Sequence, residues 1–412
     1  MNIIIRLAWR NVWRNLRRTV LTLLTIMVGC AMIIFINAMG KGGHDQMIED
    51  SVAMNTGHLQ IHEKGFWDNL TIDYAFQPSP ELIRGLEDNK RISGYTERII
   101  AGGLLYFNDR TRGALIQGID PEREKRVGNL HQKIVPGGRY LNQDDSMQVV
   151  VGSTLAKNMG AEVNDTISMI SQGFDGSVAA DKFTIVGIFQ SGNPEYDREL
   201  VLMPLSQAES TFTMMGYIHS IVIRLDDPSF LTEVKKEITS MVSMNRAELE
   251  VMGWDELMPE LVQFIIMDDI GGYIFDFILF LVVAFGILNT IQMAVFERTR
   301  EFGVMLSIGT RPLRIASMIL MESVFITMIG IALGIALGTG ISVYFQFNPI
   351  DYSRFSEEIA VWGFSTTVYP ARVTPLNISV TSALTFLLAI IFSVFPAKRA
   401  SKLDPVKAIR KL

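Results

Sequence analysis

The sequence predicts an α-helical membrane protein with four transmembrane helices and one large extracytoplasmic α+β domain inserted between helices 1 and 2. Hydrophobic residues make up 49% of the 412 residues, and they are concentrated in four long apolar runs. Basic residues cluster on one side of these runs, whereas the long segment between the first and second runs is acidic. That segment alternates short β-rich runs with helical stretches, which is typical of a folded domain.

The first element, residues 1–18, is predicted to be a cytoplasmic amphipathic basic helix. It contains five arginines and no acidic residue. Its apolar and aromatic positions recur at helical spacing, at Ile5, Ala8, Trp9, Val12, Trp13 and Leu16. A helix with one apolar face and one basic face is expected to lie along the inner leaflet and to lead into the first span.

The four apolar runs are each long enough to cross a bilayer, which takes about 20 helical residues. A helix in a soluble protein rarely stays apolar on all faces over such a length. The predicted transmembrane helices 1 to 4 comprise residues 19–39, 272–296, 315–345 and 376–395. Cys30 is the single cysteine and lies within the first run, so no internal disulfide can form.

Residues 40–271 are predicted to form the inserted domain together with stalk helices at its entry and exit. Alternation predicts strands at 57–63, 147–153, 166–171, 183–189, 199–204 and 219–225, and helices at 153–159, 204–212 and 228–243. Near the exit, Trp254, Leu257 and Leu261 fall on one helical face, which indicates an amphipathic stalk. The mixture of strands and helices indicates an α+β domain.

The charge distribution predicts the orientation. Residues 297–314 contain four arginines against two glutamates, and the tail 396–412 contains six basic residues against one aspartate. With the basic residues 1–18, they place both termini in the cytoplasm by the positive-inside rule. Residues 40–268 contain 20 basic and 34 acidic residues, a net charge of −14, as expected for a translocated domain. No nucleic-acid partner is implied, and membrane lipids are expected partners.

Two carboxylates lie within the predicted spans, Asp276 in the second and Glu322 in the third. An ionised side chain costs a few kcal/mol at the bilayer centre unless it is paired or hydrated, so each is a functional candidate. The alternative is that each lies close enough to a span end to reach water. Both interpretations stay open from the sequence.

Three glycines in the third span recur every four residues, at Gly330, Gly334 and Gly338. Such a stripe of small residues allows a second helix to approach closely. We therefore predict a helix-packing role for it, although the sequence does not identify the partner helix.

The predicted periplasmic loop 346–375 is rich in aromatic residues, with Tyr352, Phe355, Trp362, Phe364 and Tyr369. Aromatic side chains at a membrane interface usually anchor a protein at the depth of the headgroups. A lateral gate for a substrate is the alternative interpretation.

Several kinds of site are not supported by the sequence. It has no G-x-x-x-x-G-K-[ST] motif, so it cannot hold nucleotide phosphates in a P-loop. His58 and His62 alternate along a predicted strand with no cysteine or third histidine nearby, which favours structural roles over a metal site. We expect no catalytic residues, metal or cofactor on this chain.

Four motifs in order resemble those of one family. They are LAWRNVWRNLRRT at residues 7–19, ERTREFGVMLSIG at 297–309, Glu322–Ser323, and PAKRASKLDPVKAIR at 396–410. The chain thereby resembles, from end to end, the MacB-type (type VII, mechanotransmission) ABC transporter permeases. These include lipoprotein-releasing (LolC/LolE-like) and FtsX-like permeases. The stretches 149–171 and 182–192 look most similar to the periplasmic core of the lipoprotein-releasing members.

The resemblance implies a non-catalytic membrane subunit of the bacterial inner membrane. Two copies of a cytoplasmic ABC ATPase would carry ATP and Mg²⁺, and a second copy or a related permease would complete the transporter. A periplasmic carrier or adaptor is a further implied partner. Residues 297–314 would be the cytoplasmic coupling helix, and the motif assigns ATPase contact to Glu297, Arg298, Arg300, Glu301 and Gly303.

Three functions are compatible with the resemblance. The first is the extraction or movement of lipoprotein or lipid-like cargo from the inner membrane. The second is a MacB-like exporter of peptides, toxins or drugs from the periplasm, and the third is an FtsX-like mechanical regulator of cell-wall hydrolases. Residues 172–181, QGFDGSVAAD, are shorter than the hook by which some lipoprotein-releasing permeases recruit a carrier, and they contain no proline.

Overall fold

The computed structural model describes residues 2–245, 248–355 and 366–410. Its backbone contacts divide the chain into two compact units. The helical unit comprises Met1–Asp45, Ile265–Asp351 and Val368–Leu412, and the inserted unit comprises Gln46–Phe264 and Tyr352–Thr367. The predicted aromatic positions Trp362 and Phe364 lie outside the described residues.

The described α-helices follow one another in chain order as α1 (Asn2–Val12), α2 (Leu16–Ser51), α3 (Pro80–Asp88), α4 (Pro121–Val127), α5 (Ser153–Met159), α6 (Pro194–Glu199), α7 (Leu205–Thr211), α8 (Leu231–Asn245), α9 (Trp254–Leu257), α10 (Pro259–Glu297), α11 (Thr299–Ser307), α12 (Pro312–Phe347), α13 (Pro375–Ser401) and α14 (Pro405–Arg410). The strands are β1 (Leu59–Glu63), β2 (Ile92–Phe107), β3 (Arg110–Ile119), β4 (Gln148–Gly152), β5 (Thr166–Gln172), β6 (Val178–Phe189), β7 (Leu200–Pro204), β8 (Ser220–Leu225), β9 (Leu249–Gly253), β10 (Ile350–Asp351) and β11 (Val368–Tyr369).

Four helices in the described part of the chain, α2, α10, α12 and α13, are long and apolar enough to cross a membrane. Each helix extends beyond the predicted apolar run, because polar residues also adopt helical backbone angles. The helix ends only where the backbone leaves that conformation. Three of them begin at a proline, namely Pro259, Pro312 and Pro375. Proline suits the first helical turn since its missing N–H needs no partner there.

The predicted packing glycines lie on the face of α12 that meets α2. A Cβ atom added at Gly330 would fall 2.7 Å from Ile26 Cγ2, and one at Gly334 would fall 2.7 Å from Cys30 Cβ. At Gly338 it would fall 2.8 Å from the carbonyl oxygen of Ala31. Only a residue without a side chain lets the two helices come this close.

The inserted unit contains a nine-stranded sheet in the order β3-β7-β4-β6-β5-β2-β8-β1-β9. Because β2 also pairs with β3, six of these strands close into a ring, and β8, β1 and β9 continue the sheet from β2. The pairs β3–β7 and β4–β6 are parallel, and the other registered pairs of this sheet are antiparallel.

Alternate residues of the strands fill two separate hydrophobic clusters, since successive side chains point to opposite faces of a sheet. In β4, Val149 and Val151 belong to one cluster and Val150 to the other. In β7, Val201 and Leu202 divide in the same way. The sheet is therefore covered on both faces.

A π-helix, Val52–Thr56, joins α2 to β1. It closes with the N–H of Gly57 donating to the carbonyl of Val52 at 3.0 Å. Gly57 has a φ of +62°, and a Cβ atom there would lie 2.5 Å from Val222 Cγ1, so glycine is required at this turn.

A buried charge pair holds this turn against β2. The Arg98 guanidinium donates to Glu124 Oε1 at 2.5 Å and to Asn55 Oδ1, within the π-helix, at 2.9 Å. Arg98 and Glu124 are both buried. Moving the turn away from β2 would separate the two partners and leave a buried charge unpaired, which is costly in free energy. The pair therefore fixes the turn in place.

We expect the inserted unit to lose stability between about pH 6.5 and pH 4 because of His219. This side chain is fully buried; its Nδ1 accepts the Ile100 N–H at 3.0 Å and its Nε2 lies 3.1 Å from the Ile72 carbonyl. Burial lowers the pKa of His219 to about 4, and the hydrogen bond to Ile72 opposes this only in part. The unfolded chain, with an ordinary histidine pKa of about 6.5, binds the proton first as pH falls.

Stability is then constant above about pH 6.5, falls by about 3 kcal/mol as pH drops to 4, and changes no further below that on account of this residue. Hydrogen exchange of β8 amides in the full chain, corrected for intrinsic rates, measures the slope. His219→Gln should flatten it, while His58 and His62, whose pKa values burial also lowers, keep a residual slope. An equal slope in the variant would contradict the assignment to His219.

Candidate functional site

The helical unit contains a buried ion pair between Arg298 and Glu322. Arg298 links α10 to α11, and its Nη1 donates to both carboxylate oxygens of Glu322 in α12, at 2.8 and 3.0 Å. The two residues are 6% and 7% exposed. Asn11 in α1 donates to the same carboxylate at 2.7 Å. A carboxylate with charged and neutral donors is stable away from water, so three segments meet at Glu322.

Glu301 extends this cluster toward the surface. Arg298 Nε donates to its Oε2 at 3.2 Å, and Arg14 Nη1 donates to the same oxygen at 3.1 Å. Burial alone would raise the pKa of Glu301, but the hydrogen bonds from Arg14 and Arg298 outweigh it and hold this pKa below its ordinary value. Glu301 is therefore ionised at neutral pH and bridges the two arginines. We call Asn11, Arg14, Arg298, Glu301 and Glu322 the polar cluster.

A second pair joins the start of α2 to the end of α10. Arg18 Nη1 lies 3.2 Å from Glu297 Oε2, and Asn15 donates to the same oxygen at 3.5 Å. This pair is more exposed than the Arg298–Glu322 pair. Exposed ion pairs contribute little to stability, so its effect is mainly to orient the two helix ends.

The outer side of α11 and the turn after it form an exposed face with apolar and basic side chains. Its members are Arg300, Val304, Ile308, Arg311, Leu313 and Arg314. Ile308 and Leu313 are 77% and 79% exposed. Gly309, with a φ of +88°, ends α11 and allows the turn into α12. Large apolar side chains surrounded by arginines are typical of a protein-binding surface.

The structure separates the residues that the family motif assigned to ATPase contact. Arg300 lies on the exposed face, and Glu297 and Glu301 are exposed but ion-paired. Arg298 and Gly303 are buried within the helical unit, so neither lies on the surface. The sequence predicts separate roles for Arg298, in ATPase contact, and for Glu322, as a polar residue within a span. It does not predict that the two residues form an ion pair.

Asn11 and Arg14 are members of the polar cluster that sequence reasoning missed. Asn11 stands between Ala8 and Val12 on the buried face of α1. A polar residue on an otherwise apolar helix face needs a buried hydrogen-bond partner. This pattern is the sequence feature from which Asn11 could have been predicted to belong to a buried site.

Asp276, the other intramembrane candidate, lies apart from this cluster. Asn37 in α2 donates to its Oδ2 at 2.8 Å. Its Oδ1 is buried and has no hydrogen-bond partner among the described residues. The residue is thus paired with a neutral amide rather than with a cation.

The described residues contain no group of three or more His, Cys, Asp or Glu side chains placed to hold a metal ion. His58 Nδ1 accepts the N–H of Leu225 at 3.1 Å, and His62 Nδ1 lies 3.1 Å from the carbonyl of Glu63. Both side chains thus contact neighbouring backbone within the sheet.

Two family models match the chain. The model of the MacB-like periplasmic core domain matches residues 19–241, and the model of the FtsX-like permease C-terminal region matches residues 273–405. The first covers most of α2 and most of the inserted unit, and the second covers α11, α12 and α13 with most of α10.

Curated proteins align over nearly the whole chain at low identity. The macrolide export ATP-binding/permease protein MacB of Wolinella succinogenes is 24% identical over 98% of this chain, and MacB of Burkholderia cenocepacia is 24% identical over 98%. The chain spans 60% and 57% of the length of these two relatives. The uncharacterized ABC transporter permease YknZ of Bacillus subtilis is 23% identical over 98% of both chains.

Two solved structures are similar to about half of the chain. The periplasmic region of MacB from Actinobacillus actinomycetemcomitans covers 51% of this chain and 94% of its own, with 18% identity and a TM-score of 0.37. The extracellular domain of YknZ covers 47% of this chain and 99% of its own, with 11% identity and a TM-score of 0.35.

Proposed function

Because the chain belongs to the MacB-type (type VII) family of ABC transporter permeases, we propose that it is a non-catalytic subunit through which a separate ATPase changes the conformation of the inserted unit. Two ATPase copies would bind the exposed face and carry ATP and Mg²⁺. A second permease, identical or related, would complete the transporter. We place it in the bacterial inner membrane with both termini cytoplasmic, supported by the basic segments 1–18, 297–314 and 396–412.

The observation that carries this proposal is the Arg298–Glu322 pair lying behind the exposed face. Arg298 connects α10 to α11, while Glu322 belongs to α12. A displacement of α11 would therefore act on two membrane-spanning helices at once. Packed and hydrogen-bonded side chains transmit such a displacement because they cannot be compressed.

We expect the double variant Ile308→Glu/Leu313→Glu to lose binding of the ATPase by at least about tenfold, since burying such anchors typically contributes 2 kcal/mol or more to an interface. Both side chains are largely exposed, so the fold should be unaffected. Co-purification of the partner ATPase with the tagged chain from its native membrane measures the loss.

Met215→Glu is the matched control for this variant, because Met215 is an exposed apolar residue of the inserted unit. It should leave ATPase binding at the wild-type level. Wild-type binding by the double variant would exclude the exposed face as the docking surface.

For the cargo we propose lipoprotein or lipid-like molecules taken from the membrane. The support for this cargo is the resemblance, in sequence motifs alone, of residues 149–171 and 182–192 to the periplasmic core of lipoprotein-releasing permeases. The stretch between them forms a closed hairpin, with Gln172 of β5 paired to Val178 of β6 and a tight turn at Gly176. A carrier would therefore have to bind elsewhere or on a second permease.

Export of periplasmic substrates is the second candidate, and the curated relatives favour it because they are named macrolide export proteins. Mass spectrometry of the complex, purified gently from its native membrane, separates the two. Co-purified acylated protein or a second, different permease supports lipid-like cargo. Co-purification of an outer-membrane channel with a periplasmic adaptor would support export instead.

A further inference from the structure

An exposed stripe of alternating arginines and tryptophans follows α1 and the turn after it. We define the Arg/Trp stripe as Arg6, Trp9, Arg10 and Trp13. The spacing of three, one and three residues places them on one side of a helix. All four side chains are exposed, and the two indole rings contact each other edge to face with centroids 5.8 Å apart.

The opposite side of α1 packs against the helical unit. Ala8 and Val12 are buried there, and Asn11 bonds to Glu322 of α12. The stripe consequently lies on the more exposed side of α1, where only the Trp9 ring, among the contacts described, touches another helix, at Phe325 of α12. This corrects the sequence-based expectation of a single apolar face, since Trp9 is separated from Ala8 and Val12.

The two arginines of the stripe have no partner for their guanidinium groups in the part of the protein that the structure describes. Arg6 and Arg10 make no hydrogen bond or ion pair through their guanidinium groups with any described residue. In contrast, Arg14 and Arg18 in the same basic segment are paired with Glu301 and Glu297. Two unpaired cations beside two amphipathic rings are suited to an anionic and partly apolar ligand.

The depth of the stripe identifies the class of ligand. The Trp9 ring packs edge to face on Phe325 of α12, with centroids 5.4 Å apart. The apolar run 315–345 would be about 46 Å long at 1.5 Å per residue, longer than the hydrocarbon core of about 30 Å. The run is thus long enough for its first turns, including Glu322, to extend into the headgroup region. Because Trp9 packs beside these turns, we place it at the depth where the headgroups meet the acyl chains, which indole rings prefer.

We propose that the Arg/Trp stripe binds the headgroups of anionic phospholipids in the leaflet that contains α1. Guanidinium groups bind phosphate through two parallel hydrogen bonds, and indole rings prefer the headgroup depth. The exposed apolar side chains Leu16 and Leu21 of α2 continue this surface toward the acyl chains. A soluble protein would not reach side chains that lead into a membrane span, so lipid is the favoured occupant.

Tryptophan quenching by brominated lipids tests this proposal on the full chain. The substitutions Trp67→Phe, Trp254→Phe and Trp362→Phe leave Trp9 and Trp13 as the only indoles, since the chain contains five tryptophans. The protein is reconstituted in phosphatidylcholine nanodiscs that contain either brominated phosphatidylglycerol or additional brominated phosphatidylcholine. We expect brominated phosphatidylglycerol to reach half-maximal quenching at a mole fraction at least about fivefold lower than brominated phosphatidylcholine does. Each arginine near an anionic surface raises the affinity by about this factor.

Substitution of the two cations separates binding from simple exposure to lipid. Arg6→Gln/Arg10→Gln should bring the two quenching curves together, whereas Arg6→Lys/Arg10→Lys should keep part of the preference because it keeps the charge. The control Arg311→Gln/Arg314→Gln, on the exposed face, should change neither curve. If the glutamine variant misfolds, the lysine variant and the wild-type ratio still test the proposal.

Three outcomes would overturn it. Equal quenching of the wild type by both lipids would mean that the stripe has no preference for anionic headgroups. Quenching by neither lipid would mean that a protein, such as the ATPase or a second permease, covers the stripe. An anionic preference that survives the glutamine substitutions would place the lipid site elsewhere.

Discussion

Arg298→Ala should destabilise the helical unit by about 3–5 kcal/mol, the cost of leaving a buried charge without its partner. Among the described residues, Glu322 would then retain only the side-chain amide of Asn11 as a hydrogen-bond donor, to its Oε1. Thermal unfolding can be followed by a fluorogenic thiol reagent, because Cys30 is the single cysteine and is fully buried. We expect labelling to begin at a clearly lower temperature in the variant.

Arg300→Ala is the matched control, since Arg300 is exposed and two residues away. It should leave the labelling temperature nearly unchanged but weaken ATPase binding. The double variant Arg298→Met/Glu322→Met should recover much of the lost stability while abolishing coupling between ATP hydrolysis and transport. If Arg298→Ala and Arg300→Ala unfold alike, the buried pair does not support the helical unit.

Gly338→Ala should destabilise the contact between α12 and α2 by about 3 kcal/mol, near the upper end for overpacking. The added methyl group would lie 2.8 Å from the carbonyl oxygen and 2.9 Å from the Cα of Ala31. Both are backbone atoms, so the helices must separate rather than a side chain rotate. Cys30 lies beside this contact, and its labelling temperature reports the separation directly.

Gly340→Ala provides a control in the same helix, because a Cβ atom there would meet nothing within 4 Å. Alanine favours a helix over glycine by about 1 kcal/mol, so this variant should be neutral or slightly more stable. Equal destabilisation by the two alanine substitutions would show that close packing on α2 is not what Gly338 provides.

The four spans could be predicted because twenty consecutive apolar residues have few other stable solutions. The strands β1 and β4 to β8 were also predicted, since each is a short β-rich run. The β2–β3 hairpin was missed: β2 contains Gly94, Gly102 and Gly103 and shows no regular alternation. Its sixteen residues pair with three other strands along their length, so tertiary pairing rather than local propensity determines it.

The candidate site was predicted only in part. Arg298 and Arg300 are two residues apart, which places their side chains about 200° apart on a helix. Only one of them can face the other helices, and the motif alone does not say which. The carboxylate of Glu322 decides this, but it lies in another helix and its position depends on packing. We therefore propose ATPase contact for Arg300 and its exposed neighbours, whereas Arg298 is buried among the helices.

The π-helix after α2 has a consequence for how this family can vary in length. Its five-residue turn holds one residue more than an ordinary helical turn. A single deletion between Val52 and Thr56 would restore α-helical geometry but shift the following chain by one residue relative to the sheet. In β1, Leu59 and Ile61 would then exchange faces with Gln60 and His62, since strand faces alternate. Insertions and deletions should accordingly be rare at this junction during evolution, even where the neighbouring surface loops change freely.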